Sequence, residues 1–135
     1  MHLTRPMIRH VAAALAAAIA TIYFLIGFGA LSVVNAKPGD PSLLPFGLFA
    51  GSGFLVGAVL LVTADRRILW ALGAVLQVLV AIMYVAIAPQ RDPQFEVWGI
   101  TLRVIQVPLF AALLYLATHS AEPHAASLAA QRRRF

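Results

Sequence analysis

Arg103 is the one ionisable side chain that lies well inside an apolar run of this sequence. It follows Phe95, where that run begins, by eight residues, which is roughly 12 Å along a helix. A charge at such a depth in a membrane costs about 2.5 kcal/mol or more, so it usually faces other helices or a wet cavity. The planar guanidinium suits carboxylate and phosphate groups, and the chemistry it suggests is therefore anion binding.

The polar residues of this run lie on one side of the predicted helix. Four residues recur at positions i, i+3, i+7 and i+10 and therefore share a helix face: Glu96, Gly99, Arg103 and Gln106. Pro108 follows this stripe. Because proline lacks a backbone N–H, we expect it to kink the helix or to free a carbonyl one turn earlier.

The preceding apolar run is expected to pack antiparallel to this one, because only a short loop joins them. Residues equally far from that loop then lie at the same depth. This symmetry places Tyr84 opposite Gly99 and Gln77 opposite Gln106, and the first apolar run contributes Tyr23 near the depth of Gln106. The predicted polar cluster has six side chains: Tyr23, Gln77, Tyr84, Glu96, Arg103 and Gln106.

The sequence leaves three interpretations of Arg103 open. In the first, the side chain snorkels to Glu96 or to the lipid headgroups, and the glutamines hydrogen-bond between helices. In the second, the cluster lines a cavity that binds an anion, a carboxylate or a lipid headgroup. In the third, Arg103 pairs with an acidic residue of another subunit. Only the second and third make Arg103 a functional residue.

Glycines mark where the helices could approach one another closely. The second apolar run contains two pairs spaced by four residues on different faces, a spacing common at helix contacts in membranes. These pairs pack either within the bundle or against another copy or partner. Two further glycines, in the third and fourth runs, offer small surfaces opposite large side chains. The predicted packing glycines are Gly47, Gly51, Gly53, Gly57, Gly73 and Gly99.

Four long apolar runs supply the elements that carry these residues. The chain has 135 residues, of which 61% are hydrophobic and 11% charged, whereas soluble domains average about 45–50% and about 25%. This composition excludes an ordinary soluble domain and a disordered chain. We predict an all-α membrane protein, an antiparallel four-transmembrane-helix bundle over residues 1–119. The expected spans are about 8–34, 43–64, 68–88 and 95–118, and a cytoplasmic basic tail follows at 120–135.

The basic residues predict the orientation of the spans. One side carries Arg5, Arg9, Arg66, Arg67 and Arg132–Arg134, and the other carries Lys37 and Arg91. This asymmetry places both termini in the cytoplasm. The excess of Arg over Lys and the many alanines suggest a GC-rich bacterial gene, hence a bacterial inner membrane. Short links make consecutive spans antiparallel neighbours, and Trp70 and Trp98 fit interfacial anchors.

No residue set for bond-making chemistry stands out. Cysteine is absent, and the sequence has no phosphate-binding loop, nucleophile elbow or zinc-protease motif. His10 and His119 fall at the predicted membrane interface, and we predict no metal and no cofactor. The net charge of +5 fits membrane topology and contact with anionic lipid, without nucleic acid.

We therefore expect a non-catalytic accessory or scaffolding subunit of a larger membrane assembly. Its partners would be the lipid bilayer and other membrane subunits, or a second copy of itself. The alternative is a small homo-oligomeric channel, transporter or ligand- or lipid-binding protein that uses Arg103.

Overall fold

A computed structural model describes residues 4–32, 41–87, 89 and 96–119. Within these ranges the chain forms four α-helices and no strand: α1 Arg5–Gly27, α2 Leu43–Thr63, α3 Arg67–Ile87 and α4 Val97–Thr118. The predicted all-helical class and the number of helices are confirmed. The residues Lys37 and Arg91 and the predicted tail at 120–135 lie outside the described residues.

All four helices are long and apolar enough to span a membrane. Their most apolar stretches have mean hydropathies between 1.8 and 2.3, and about 20 such residues cross a hydrocarbon core. Large apolar side chains are exposed along α2 and α3, for example Phe49, Val75 and Val85. A bilayer would cover these side chains, since lipid tails are as apolar as the residues themselves.

The first helix ends at Gly27, earlier than the predicted end near residue 34. Gly29 has a φ of 72°, in the left-handed region that glycine adopts without a Cβ clash. The backbone N–H groups of Ala30 and Leu31 both turn back and donate to the carbonyl of Leu25. This geometry ends a helix by satisfying its last carbonyls. The apolar run continues past it, because hydropathy reports solubility in lipid and not backbone conformation.

The helices pack in the order α2, α1, α4, α3. Extensive contacts join α1 with α2, α1 with α4, and α3 with α4. Arg5 at the start of α1 donates to Asp65, just after α2, and to the carbonyl of Leu116 near the end of α4. Arg67 at the start of α3 donates to the carbonyl of Thr118. In each packed pair, the start of one helix thus meets the end of the other, so all three pairs are antiparallel.

One expected neighbour pair is wrong. The helices α2 and α3 are consecutive in the chain, yet they make no extensive contact among the described residues, and α4 takes the place beside α1. The short link Ala64–Arg66 brings only the ends of α2 and α3 together. We call this end of the structure, where α1 and α3 begin, the Asp65 end. The opposite end, where α2 and α4 begin, is the Glu96 end.

The contact between α1 and α2 is made through glycine. A Cβ added at Gly47 would lie 2.5 Å from the Gly27 Cα, so the two backbones touch there. Gly51 packs against a phenylalanine ring of α1. The other pair on α2 faces elsewhere, since a Cβ at Gly53 or Gly57 would meet no described atom within 4 Å. One predicted glycine pair therefore packs within the structure, and the other does not.

Candidate functional site

Arg103 projects from α4 into the space between α1 and α3. Its Nη2 donates a long hydrogen bond of 3.4 Å to the hydroxyl of Tyr23 on α1. Its Cζ lies 4.9 Å from the ring centre of Tyr84 on α3, a cation–π contact. Because its Nε and Nη1 are fully buried, the guanidinium lies inside the helix assembly. This position favours an interior role over snorkelling into lipid.

Tyr84 reaches Arg103 because the facing residue is a glycine. A Cβ at Gly99 would lie 2.7 Å from both Cε2 and the hydroxyl oxygen of the Tyr84 side chain. The predicted pairing of Tyr84 with Gly99 is therefore confirmed. About three helical turns away, toward the Asp65 end, Gly73 of α3 packs against Leu113 of α4, with 3.3 Å between its added Cβ and the leucine Cδ1. Small residues set the distance between α3 and α4.

Tyr23 is held by aromatic rings of α2. Its ring stacks on Phe54, with 5.7 Å between centroids, and meets Phe46 edge-on at 5.8 Å. Tyr23 is only 5% exposed. The sequence placed it at the depth of Gln106, whereas it contacts Arg103, one helical turn closer to the Glu96 end. Through this residue, α2 also helps to position the guanidinium.

Two buried glutamines accompany Arg103. Gln106 follows it on the same face of α4 and is 5% exposed, and Gln77 of α3 is 8% exposed. Several of their polar atoms have no hydrogen-bond partner among the described residues. The buried side-chain atoms in this position are Gln77 Oε1, Tyr84 Oη, Arg103 Nε, Arg103 Nη1, Gln106 Oε1 and Gln106 Nε2. We call these five residues, Tyr23 included, the Arg103 cluster.

The six unpartnered atoms are energetically costly. Each buried donor or acceptor without a partner costs about 1–3 kcal/mol, and charged groups cost more. Native proteins satisfy nearly all such groups with protein atoms, water or ligand. The unpartnered groups are N–H donors of Arg103, the hydroxyl of Tyr84, and amide groups that can both donate and accept.

Glu96 occupies a different place from the rest of the predicted cluster. It is the N-cap residue of α4, is 8% exposed, and has interactions of its own. The two ion pairs among the described residues both belong to Asp65, so neither joins Glu96 to Arg103. The predicted role of Glu96 in the cluster remains a prediction.

Hydrogen bonds at the Asp65 end tie the helices together. Arg5 pairs with Asp65 at 2.7 Å and also donates to carbonyls of α4 and its C-cap. Arg9 donates to three carbonyls at the end of α2: Leu61, Val62 and Ala64. These donors cover carbonyls that helix ends leave unpaired. In the sequence, these arginines predicted only the orientation of the spans in the membrane. Their spacing of four residues nevertheless places both on one face of α1.

Asp65 is the centre of this network. The hydrogen bond from Arg5 is the main reason that the pKa of Asp65 lies below its usual 3.8. Partial burial raises this pKa, whereas the hydrogen bond from the Trp70 N–H and the charges of Arg5 and Arg9 lower it further. Trp70 is 2% exposed and donates to Asp65 at 3.4 Å. It is therefore packed among the helices, and its predicted place as a lipid-interface anchor is wrong.

The comparisons with known proteins give no relative. No protein family, no curated protein and no solved structure matches this chain. Its function is therefore inferred from its own residues, and the Arg103 cluster is the feature with the most specific chemistry.

Proposed function

We propose that this chain is a small, non-catalytic integral membrane protein that binds a polar ligand at the Arg103 cluster. The observation that carries the proposal is the set of six buried, unpartnered polar atoms on Gln77, Tyr84, Arg103 and Gln106. The sequence ranked this function second, behind an accessory subunit. We rank it first because polar atoms of α3 and α4 are buried without hydrogen-bond partners among the described residues.

The site is supported by rigid elements. Arg103 is fixed by contacts on both sides, from Tyr23 and from Tyr84. Helices position side chains more precisely than loops, and a side chain that is already fixed loses little entropy when a ligand binds.

We propose further that the protein lies in a bacterial inner membrane with the Asp65 end and both termini in the cytoplasm. Arg5, Arg9, Arg66 and Arg67 all lie at the Asp65 end, and cytoplasmic ends of membrane helices are enriched in basic residues. The Arg103 cluster would then lie in the outer half of the membrane. Reporter fusions at residue 40 and at the C-terminus test this orientation.

The ligand-binding proposal is tested by purification from the native membrane. The full chain is isolated in an uncharged detergent, and the compounds it retains are identified by mass spectrometry. We expect a stoichiometric compound in the wild-type protein that Arg103→Gln loses. Arg66→Gln is the matched control, because Arg66 is exposed at the other end of the structure, and it should retain the compound.

Two further results decide the outcome. Gln106→Leu keeps a similar volume and removes two of the unpartnered atoms, so it should also lose the compound. If the wild-type protein retains nothing, and no added polar compound raises its melting temperature, the cluster is not a ligand site.

A second candidate function is an accessory or scaffolding subunit, or a homo-oligomer. The observation that favours it is the open face of α2, where a Cβ at Gly53 or Gly57 would meet no described atom within 4 Å. Gly57→Leu should then remove a stoichiometric membrane subunit from the purified material, and Val56→Leu, at an exposed neighbouring position, should not. A protein that purifies alone and monomeric contradicts this candidate.

A further inference from the structure

We infer that the ligand of the Arg103 cluster presents one negatively charged group, a carboxylate or a phosphate ester, to the guanidinium. This inference rests on the proposed function and names its ligand class. The shared chemistry is a compact oxyanion. It could belong to the headgroup of an anionic lipid or to a small acid that enters from the Glu96 end.

The charge of the site supports an anion. A guanidinium remains protonated in proteins, so Arg103 brings one fixed positive charge between the helices. Both ion pairs of the described residues are formed by Asp65 at the other end. A neutral ligand or water would leave this charge without a counter-ion among the described residues, whereas one oxyanion would neutralise it.

The geometry of the guanidinium limits how the ligand can approach. Tyr84 covers a face of the group at 4.9 Å from Cζ, and Nη2 is engaged with the Tyr23 hydroxyl. The N–H groups of Nε and Nη1 have no acceptor among the described residues. A ligand oxygen would accept in the plane of the guanidinium from one of these two nitrogens, whose N–H groups lie on different edges of the group. Carboxylate and phosphate oxygens have the geometry for such in-plane bonds.

The glutamines add a second requirement. The unpartnered Oε1 atoms of Gln77 and Gln106 accept hydrogen bonds and would repel an oxyanion, whereas the unpartnered Nε2 of Gln106 can donate to it. A hydroxyl or amide group of the ligand, or a water beside it, would donate to these oxygens. Tyr84 Oη can donate to the anionic group itself. The preferred ligand thus combines one oxyanion with a nearby hydrogen-bond donor, as in a phosphatidylglycerol headgroup or a hydroxy acid.

The depth of the site is compatible with both sources. Arg103 lies six residues into α4 from Val97, about 9 Å along the helix axis. Long arginine side chains reach toward the interface from such positions. A lipid phosphate or a soluble acid would approach from the Glu96 end without crossing the membrane centre, and because Nε and Nη1 are buried, the side chains that cover them must move to admit it.

The experiment uses the full chain in dodecyl maltoside, which contains neither charge nor phosphate. The melting temperature is followed by tyrosine and tryptophan fluorescence at constant ionic strength. One arm adds short-chain phosphatidylglycerol, and a second adds lactate or inorganic phosphate in place of chloride. A third arm adds neutral compounds with hydroxyl groups, namely a monoacylglycerol and glycerol. Arg103→Gln, Arg103→Lys and the control Arg66→Gln are measured in parallel.

We expect an anion in the first or second arm to raise the melting temperature of the wild-type protein and of Arg66→Gln by about 10 °C at a hundred times its Kd. Arg103→Gln should show no shift. Arg103→Lys keeps the charge but loses the planar donors, so it should bind at least about tenfold more weakly. The first arm responding alone identifies a lipid headgroup, and the second responding alone identifies a soluble acid.

Other results overturn the inference. If the neutral compounds alone stabilise the wild-type protein and Gln106→Leu abolishes that effect, the cluster binds a ligand but not an anion, and only the ligand class is wrong. If anions stabilise Arg103→Gln as strongly as the wild-type protein, Arg103 is not their site. If no compound in any arm shifts the wild-type protein, the proposed function fails together with the inference. Should Arg103→Gln fail to fold, Arg103→Lys and the wild-type responses still decide between these results.

Discussion

Replacing Gly47 with alanine is the sharpest test of how α1 and α2 pack. The added Cβ would lie 2.5 Å from Gly27 Cα, 2.6 Å from the carbonyl oxygen of Tyr23 and 2.7 Å from Gly27 N. All three are backbone atoms, so no side chain can rotate away. Reaching the 3.4 Å at which ordinary contact begins requires the two helices to separate by about 1 Å.

The energetic cost of that separation can be worked out in order of magnitude. Overpacking a tight contact costs about 1–3 kcal/mol, and a gap of 0.5–1 Å along the remaining interface forfeits about a quarter to a half of each dispersion contact. Alanine is better than glycine inside a helix by about 1 kcal/mol. We expect Gly47→Ala to destabilise the protein by about 1–3 kcal/mol in total.

Gly53→Ala is the matched control, because it makes the same change in the same helix with no described atom within 4 Å of the new Cβ. It should be neutral or stabilise the protein by up to about 1 kcal/mol. The two variants should therefore differ by about 2–4 kcal/mol, which corresponds to roughly 10 °C in melting temperature for a chain of this size. The assay is thermal unfolding in detergent followed by circular dichroism.

The result that refutes this reasoning is a Gly47→Ala protein that melts at or above the temperature of Gly53→Ala. The backbone contact between Gly27 and Gly47 would then not be present in the folded protein. The same variant also bears on the ligand site, because the Tyr23 carbonyl is one of the atoms displaced. We expect Gly47→Ala to weaken any stabilisation by ligand, since Tyr23 helps to hold the guanidinium.

Three other changes test separate parts of the structure. Gly99→Ala places a Cβ 2.7 Å from the flexible tip of Tyr84, so the ring should rotate away at a cost of about 1 kcal/mol. The near-ultraviolet circular dichroism spectrum should therefore change, and an unchanged spectrum would contradict the contact. Asp65→Asn should lose about 0.5–1 kcal/mol at pH 7, since the pair with Arg5 is partly exposed. The lowered pKa of Asp65 means that its contribution is present above pH 3.8 and is lost as the pH falls through that lowered pKa. The melting temperatures of wild type and variant should therefore converge as the pH is lowered from 3.8, and a constant difference would disprove the assignment. Gln106→Leu should stabilise the ligand-free protein by about 1–3 kcal/mol, because two unpartnered buried atoms disappear, and a lower melting temperature would mean that water already satisfies them.

Part of the site could be predicted from the chain alone. The charge of Arg103 in an apolar run and its helical spacing from Gln106 identified the polar face of α4. The short loop between α3 and α4 then determined which residues share a depth, and this was sufficient to pair Tyr84 with Gly99. Local rules suffice here because a short loop makes the two helices antiparallel neighbours and limits the register between them.

Other features of the molecule were not predictable in this way. The end of α1 near Gly27 depends on one left-handed residue, Gly29, inside a run that remains apolar. The close approach of Gly27 to Gly47 joins residues separated by a loop, and no local pattern marks Gly27 as a contact. The unpartnered atoms of Gln77 could be recognised only once every neighbouring donor and acceptor had been placed.

The sequence by itself determined that this is a chain of four long apolar helices with one charged face on the last of them, because length and hydropathy are properties of single segments. Which helices become neighbours was decided only by the tertiary structure, where α4 and not α3 lies beside the pair of α1 and α2. The physical reason is that lipid and helix interior are equally apolar, so hydropathy does not distinguish a lipid-facing side from a packed one. That choice depends on small residues such as Gly47 and on polar groups such as Arg103 finding complementary surfaces on helices far away in the chain.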